Sequence, residues 1–269
     1  MLKPLQEVLP PRGHAVGAFD VVGLEWAEAV LEAAEGLGLP VILSVAPHLG
    51  GPPLEALAPG LRHLAESVRV PVALHLDHGE SLEEVARALR LGFTGVMLDG
   101  SHLPLEENIR LTQLTVQLAR AYGVGVEGEV GVVPGQYGPE GGGEEVPKYT
   151  DPEEARRFYE ATGVDALAVS IGTRHGLYKG PIRLNLALLE ELSKLPVPLV
   201  LHGASGLSQE EYRALIEGGI RKINLYADLA LEAARALKEG EAKDYLGLMA
   251  SAKAALRRLV SERMRVWWG

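Results

Sequence analysis

The sequence predicts an α/β fold, a (β/α)8 TIM barrel with an additional C-terminal helix. Short apolar runs alternate with amphipathic stretches eight times along the 269 residues, and this alternation is typical of parallel strands joined by helices. Titratable side chains directly follow several of these runs, as they do at the C-terminal end of a barrel. Nothing in the composition divides the chain, so we expect one domain over residues 1–269. A doubly wound open sheet is the alternative for the same pattern.

The predicted strands are apolar runs that suit burial on both faces. In chain order they are Ala15–Val21, Pro40–Ala46, Pro71–Leu76, Gly95–Asp99, Val124–Val130, Ala166–Ile171, Pro198–His202 and Arg221–Tyr226. A helix is predicted after each strand, at Leu24–Leu37, Leu54–Glu66, Ser81–Leu91, Glu106–Tyr122, Pro152–Thr162, Leu186–Leu195, Gln209–Glu217 and Leu229–Leu237. A further helix is predicted at about Ala242–Arg263, for packing or assembly.

Two helix starts carry the signature of a capping box. Ser81 is followed by Glu84, and Ser208 is followed by Glu211. In this motif the serine accepts a hydrogen bond from the backbone of the third helical residue, whose side chain reaches back to the serine N–H. Both pairs support the helix starts assigned here.

Composition restricts the kinds of partner and site. The formal net charge of −10 argues against nucleic acid and anionic membranes, because both select basic surfaces. The chain has no cysteine, so a zinc site would use His, Asp or Glu. No run approaches the roughly 18 apolar residues of a membrane span, and the N-terminus lacks the apolar stretch of a signal peptide. We therefore expect a cytoplasmic protein.

The third predicted strand ends in an unusual cluster of titratable groups. The segment VPVALHLDHGES, residues 70–81, passes from an apolar run to His75, Asp77 and His78. Other strands also deliver polar groups near their C-terminal ends. These groups are Asp99, Glu127, Glu129, His175, His202 and Asn224. In a barrel they would all meet at one mouth.

Three of the eight histidines follow this joint pattern. A single histidine is more often a hydrogen-bonded structural residue, but His78, His175 and His202 lie at three strand ends. Catalytic zinc takes three protein ligands and keeps one position open. The three histidines therefore predict a metal site. His75 shares the face of Asp77 one layer deeper, so we expect it to be a supporting or core residue.

The acidic residues nearby have alternative roles. Asp77 points away from its neighbour His78 if the strand stays regular, and it is either a proton carrier beside the metal or a structural carboxylate. Glu129 and Asp99 either support the metal histidines or form a second cation position. Glu127 shares the face of Glu129, and one of the two could be only a buried hydrogen-bond acceptor.

Two segments suit an anion such as phosphate. HGASG, residues 202–206, offers backbone N–H groups at Gly203 and the Ser205 hydroxyl ahead of a helix. HGLYKG, residues 175–180, offers Gly176 and the cation Lys179. The long glycine-rich stretch at residues 131–149 predicts a mobile flap over the site.

Six collinear motifs together carry a family resemblance. HLDHG, MLDGSHLPLEENI, VEGEVG, VDALAVSIGTRHG, LHGASG and KINLYADL resemble the class II, zinc-dependent ketose-bisphosphate aldolases, of the fructose- and tagatose-bisphosphate type. The resemblance extends from about Gly13 to Met264. It implies a homodimer or homotetramer that cleaves a phosphorylated ketose reversibly to dihydroxyacetone phosphate and an aldehyde, glyceraldehyde 3-phosphate, through a zinc-stabilised enediolate.

The resemblance assigns roles to individual positions. His78, His175 and His202 match the zinc ligands, and Asp77 matches the residue that moves the proton. Glu129 and Asp99 match positions that accommodate an alternative or second metal. The pocket for dihydroxyacetone phosphate matches Gly176, Lys179, Gly203, Ser205 and Asn224. The family also often binds a monovalent cation near the phosphate.

Four departures from the family pattern concern the ends of the substrate. Asp20 stands where the family commonly has Asn, and this carboxylate would repel a phosphate at the aldehyde end. The loop SVAPHLGGPPLEAL lacks the usual Ser/Thr- and Lys-bearing phosphate segment. Ala227 replaces a threonine that contacts the ketose phosphate. The flap lacks the usual GGxED segment, for which Glu140, Glu144 or Glu145 could substitute.

Three other functions fit parts of the pattern. The first is an aldolase with altered aldehyde specificity. The second is a barrel metallohydrolase, although these enzymes usually carry an HxH pair and His75 lies three residues before His78. The third is a non-catalytic sugar-phosphate-binding subunit, which metal content would distinguish.

Overall fold

A computed structural model describes residues 1–135, 148–176, 178, 180, 182–240 and 242–269. Eight parallel strands form a closed barrel in chain order, which confirms the predicted architecture and excludes the open sheet. The strands are β1 Val16–Asp20, β2 Val41–Val45, β3 Val72–Gly79, β4 Gly95–Leu98, β5 Gly125–Val130, β6 Ala166–Val169, β7 Leu199–Leu201 and β8 Ile220–Leu225. Each overlaps its predicted range.

Apart from the first, the helices also match their predicted positions. They are α1 Leu5–Val8, α2 Leu24–Leu37, α3 Leu54–Ser67, α4 Leu82–Arg90, α5 Leu105–Arg120, α6 Pro152–Thr162, α7 Leu186–Leu192, α8 Gln209–Glu217, α9 Ala227–Glu239 and α10 Tyr245–Trp268. Helices α2–α9 surround the barrel, and α10 is the additional C-terminal helix. Across the described ranges, none of the helices combines the length and hydropathy that a membrane span requires.

The C-terminal helix is part of the hydrophobic core. Trp267, near the end of α10, is 1% exposed. Its ring stacks on Phe19 of β1 with centroids 5.6 Å apart, and it meets Tyr212 of α8 edge to face at 5.3 Å. Large aromatic side chains contribute much of the apolar area that a core buries. Helix α10 therefore packs against the outside of the barrel beside β1.

Helix α1 closes the N-terminal end of the barrel and was not predicted. Its four residues lie between prolines, too short a stretch for a periodic signal. Leu5 and Val8 of this helix pack with inward-facing residues of β1, Val16 and Ala18. The barrel axis is therefore apolar at this end, and the buried polar residues gather at the opposite, C-terminal end.

The two predicted capping boxes differ in the structure. At α8, Ser208 and Glu211 form the complete reciprocal box. At α4, Ser81 accepts from the Glu84 N–H at 3.2 Å, but the Glu84 carboxylate accepts from the N–H of Glu80 at 2.9 Å. The prediction of a full box at Ser81 was therefore wrong, because the extended backbone before the helix brings Glu80 within reach instead.

Candidate active site

The end of β3 is irregular, and as a result the adjacent side chains of Asp77 and His78 both face the barrel mouth. The strand continues to Gly79, and its register against β4 shifts between Leu76 and Gly79. His78 has φ 47°, the single positive φ of a non-glycine residue in the described ranges. This conformation costs an L-residue about 1–2 kcal/mol. It also breaks strand alternation, so Asp77 does not point away from His78 as a regular strand would require.

The three predicted metal histidines converge at this mouth. His78 comes from β3, His175 follows β6 and His202 follows β7. Their ring centroids are separated by 4.6 Å for His78 and His202, 5.3 Å for His78 and His175, and 6.0 Å for His175 and His202. One nitrogen from each lies within 4.8 Å of the others, and all three side chains are buried.

Carboxylates determine which ring nitrogens face the centre. Asp99 Oδ2 lies 2.7 Å from Nδ1 of His78, and Glu127 Oε1 lies 2.9 Å from Nε2 of His202. The opposite nitrogens, His78 Nε2 and His202 Nδ1, face each other at 2.7 Å. Metal-binding histidines commonly have their outer N–H held by a carboxylate in this way. The donor set therefore fits a divalent metal of the zinc type.

In the metal-free site, His78 is protonated on both ring nitrogens and carries a positive charge. Burial opposes the positive charge, but the charge of Asp77 and the hydrogen bond that His78 donates to Asp99 raise the pKa of His78 to about 10. Burial and the neighbouring His78 charge lower the pKa of His175 and of His202. A metal ion must displace the His78 proton, because a ligating imidazole is neutral.

Glu129 and Asp99 form a second group around His78. These three side chains also bring ligand atoms within 4.8 Å of one another. Glu129 Oε2 is buried and has no hydrogen-bond partner among the described residues, and burial raises the pKa of this carboxyl well above its usual range. A buried oxygen of this kind is costly unless a cation or donor reaches it. The geometry is thus compatible with a second or alternative metal position.

A third group, His75, Asp77 and Glu127, has similar spacing but a different charge balance. Lys222 places Nζ 2.8 Å from Glu127 Oε2, and both side chains are completely buried. This ammonium already neutralises Glu127, so the group does not need a metal. His75 lies below the mouth, 3.6 Å from Glu127, as its predicted supporting position requires.

Asp77 lies between the metal histidines and β8. Its Oδ1 accepts a hydrogen bond from Asn224 Nδ2 at 2.9 Å, and its Oδ2 is 3.8 Å from His78 Nε2. Burial would raise the pKa of Asp77, but the charges of His78, His202 and Lys222 outweigh burial and lower it. The side chain is therefore ionised.

Most of the predicted phosphate residues line one pocket with Asp77 and His175. This pocket includes Gly176, Gly203, Ser205 and Asn224. Gly203 has φ 65°, and a Cβ there would lie 2.4 Å from the Arg174 backbone, so only glycine fits. Lys179 and the flap glutamates Glu140, Glu144 and Glu145 lie outside the described residues.

Three residues near the site were not assigned a role from the sequence. Tyr178 donates its hydroxyl to the Gly203 carbonyl at 2.7 Å and so joins the two predicted phosphate segments. The His48 ring, in the 3-10 helix after β2, lies 6.0 Å from the His78 ring. Lys222 precedes Asn224 by two positions on the same face of β8, and this spacing could have revealed it.

Comparisons with known proteins agree with this geometry. The family model for class II fructose-bisphosphate aldolase matches residues 5–268. A fructose-bisphosphate aldolase from Geobacillus stearothermophilus is 41% identical over 251 residues, covering 91% of this chain and 86% of the relative. A fructose-bisphosphate aldolase from Thermus caldophilus is also 41% identical, covering 95% and 93%.

A solved structure gives the same result. The YdjI aldolase from Escherichia coli K12 superposes with a TM-score of 0.89 at 33% sequence identity, covering 99% of this chain and 97% of the other. The matched length, the barrel and the cluster of histidines at its mouth agree with one another. The chain therefore belongs to the class II fructose-bisphosphate aldolase family and is a metal-dependent aldolase, a carbon–carbon lyase.

Proposed function

We propose that this enzyme cleaves a ketose phosphate reversibly to dihydroxyacetone phosphate and an aldehyde, with Zn²⁺ held by His78, His175 and His202. The observation that carries this proposal is the convergence of three buried ring nitrogens, within 4.8 Å of one another, beside the carboxylate of Asp77. The relatives' names, fructose-bisphosphate aldolase, support a phosphorylated ketose as the substrate.

When bound, the metal supplies a Lewis acid for the oxygens of the ketose fragment. Carboxylates around the site hold two of its histidines in place. Asp99 and Glu127 hold the outer nitrogens of His78 and His202. Oε2 of Glu129 has no hydrogen-bond partner among the described residues. It suits a second or alternative divalent ion at the position shared with Asp99 and His78.

Asp77 carries the proton in this proposal. In cleavage the bond between C3 and C4 breaks, its electrons remain on C3, and the C4 hydroxyl loses a proton as the aldehyde forms. The Asp77 carboxylate accepts that proton and returns it to the aldehyde oxygen in the synthetic direction. The anion left at C3 takes up one proton from solvent before dihydroxyacetone phosphate leaves, which balances the proton held by Asp77. Its hydrogen bond from Asn224 leaves Oδ2 directed toward His78.

The half of the substrate that becomes dihydroxyacetone phosphate is assigned to the β7–β8 side of the pocket. Gly176, Gly203, Ser205 and Asn224 line it, and Lys179 is the proposed cation of this phosphate site. Ala227 also lines it and offers only a methyl group where the family has threonine. Backbone N–H groups would therefore carry most of the binding, and a monovalent cation bound to nearby carbonyls would assist.

The other half of the substrate meets Asp20, Ala46 and Leu49 on the β1–β2 side. Burial and the charge of Asp77 raise the pKa of Asp20 well above its usual range. A protonated Asp20 carries no charge, so the direct repulsion of phosphate expected from the sequence is weakened. Among the described residues that line the pocket there is no lysine or arginine. We therefore propose an aldehyde half without phosphate.

A panel of ketose 1-phosphates and 1,6-bisphosphates tests this proposal. Initial rates of dihydroxyacetone phosphate release should require zinc and should favour the monophosphates. Comparable efficiency with fructose and tagatose bisphosphates would leave the aldolase reaction intact but refute the altered specificity. Cleavage of an ester or amide by water, with no aldol activity, would instead indicate the metallohydrolase.

The non-catalytic binding subunit is less consistent with the site. The position of Asp77 beside His78 and the carboxylates on the outer nitrogens of His78 and His202 support turnover rather than binding alone. Binding of a ketose phosphate without turnover, in zinc-loaded protein, would support that alternative. A single domain, a homodimer or homotetramer and a cytoplasmic location stay predictions.

A further inference from the structure

The buried Lys222 connects the two halves of the active site. Its Nζ lies 2.6 Å from Asn224 Oδ1 and 2.8 Å from Glu127 Oε2. Through Glu127 it reaches the metal histidine His202, and through Asn224 it reaches Asp77. One ammonium group thus contacts both Glu127, which holds a proposed metal ligand, and Asn224, which holds the proposed proton carrier.

We propose that Lys222 is a positioning residue that fixes the orientation of both Glu127 and Asn224. This inference rests on the proposed function and goes beyond it, because it assigns a role to a residue below the pocket. Lys222 is completely buried and does not line the pocket with Asn224 and Asp77. It therefore acts through its neighbours and touches no substrate.

The Asn224 arm follows from donor and acceptor chemistry. An ammonium group only donates hydrogen bonds, so the carbonyl oxygen of the Asn224 amide must face Lys222. The amide NH₂ must then face Asp77 and the pocket, which it does at 2.9 Å. Without Lys222 the amide oxygen would lose this donor, and the amide would be held only by its contact with Asp77 and could turn away from it.

The Glu127 arm follows from charge. Both side chains are completely buried, and Lys222 Nζ is the cation 2.8 Å from Glu127 Oε2. As a carboxylate, Glu127 accepts from Nε2 of His202, and this leaves Nδ1 of His202 for the metal. Without the ammonium, Glu127 would be a buried charge that has lost its ion-pair partner, so the side chain would move and its contact with His202 would weaken.

The test compares the full-length wild-type chain with Lys222→Met and with Lys222→Met/Glu127→Gln. Methionine keeps the length of the side chain without the charge. In the single variant we expect zinc affinity, measured by competition with a chromogenic chelator, to fall by about 10- to 100-fold. We expect kcat at saturating zinc to fall to a similar extent.

The double variant separates the two arms. A neutral glutamine needs no cation and still accepts from His202, so zinc affinity should recover to within about threefold of wild type. The kcat should stay low, because Asn224 still lacks its donor. The double variant buries no unpaired charge. If the single variant does not fold, the kcat of the double variant still tests the proposal.

Two results would overturn the proposal. One is a folded Lys222→Met protein whose zinc affinity and kcat are both within twofold of wild type, even with a lower Tm, which indicates a purely structural lysine. The other is recovery of wild-type kcat in the double variant. The zinc measurement needs no aldol cleavage, so failure of the proposed reaction shows separately, as wild-type protein that binds zinc but does not cleave.

Discussion

Asp77 and His78 are adjacent in sequence, yet both side chains face the barrel mouth, with Asp77 Oδ2 3.8 Å from His78 Nε2. The left-handed backbone of His78 makes this possible, at the end of a strand that is otherwise regular. Strained backbone of this kind is found mainly at functional sites. The proposed proton carrier and one proposed metal ligand are thus held together by a single peptide unit.

Changing Asp77 to Asn tests the assignment of the proton carrier. The amide matches the carboxylate in size but cannot accept the proton, so we expect kcat to fall by about 10²- to 10⁴-fold. Zinc content, measured by atomic absorption, should not change, because Asp77 is not among the three proposed histidine ligands. A kcat within threefold of wild type would exclude Asp77 from the proton transfer.

Changing His175 to Ala tests the metal site. Removal of one of three protein ligands should weaken zinc binding by more than about 100-fold, beyond the loss that follows removal of a supporting residue. His63 on α3 has an exposed side chain, and His63→Ala is the matched control that should keep wild-type affinity. Equal zinc affinity in both variants would contradict the three-histidine centre.

Zinc affinity should rise with pH between about 7 and 9. The pKa of His78 is raised to about 10 in the metal-free protein, so this imidazole is protonated throughout that window and must release its proton on binding. One displaced proton raises the affinity by about tenfold per pH unit. Titration calorimetry in buffers of different ionisation enthalpy measures the protons released, and a value near zero would contradict the account.

The same shift determines how the stability of the metal-free chain responds to pH. The folded state holds the His78 proton up to about pH 10, whereas an unfolded histidine loses it near pH 6.5. The stabilisation is complete below the unfolded pKa and is lost as pH rises toward the folded pKa, by up to about 1.4 kcal/mol per pH unit. Urea unfolding of zinc-depleted protein at pH 7 and pH 9 should show lower stability at pH 9.

Asp20→Asn tests the source of aldehyde specificity. The protonated Asp20 has one O–H, which is directed toward Asp77. Asparagine has two amide N–H donors, so one of them can contact a phosphate. We therefore expect the ratio of kcat/KM for 1,6-bisphosphates over 1-monophosphates to rise by about tenfold or more. An unchanged ratio would show that Asp20 does not select the aldehyde half. The measurement is the same rate assay with both substrates on both proteins.

Trp267→Ala tests the role of the C-terminal helix. Truncating this buried ring should lower the free energy of unfolding by about 3–5 kcal/mol. Its neighbour Trp268, which is only partly buried, gives the matched control Trp268→Ala with a smaller loss. Equal losses for the two variants would show that α10 does not depend on the Phe19–Trp267–Tyr212 contacts.

The sequence predicted the barrel because its strands are continuous apolar runs separated by amphipathic helices, a local signal that tertiary contacts did not override. Polar residues at strand ends also revealed most of the mouth, because barrel topology brings all eight strand ends together. The exceptions have physical causes. The turn at His78 depends on a φ value that no residue pattern encodes, and α1 is too short for periodicity.

Other parts of the site depend on distances between elements remote in sequence. The ion pair of Lys222 with Glu127 joins β8 to β5, and single-strand patterns cannot reveal such pairs. The raised pKa of Asp20 arises from burial beside Asp77, so its charge state could not be read from residue type alone.

The most direct test of the central claim, a histidine-bound metal that is required for aldol cleavage, is a chelation and reconstitution assay. Release of dihydroxyacetone phosphate from the preferred ketose phosphate is measured before chelation, after removal of metal and after addition of zinc. We predict that activity disappears with the metal and returns with about one equivalent of zinc per chain. Undiminished cleavage by verified metal-free protein would contradict the account.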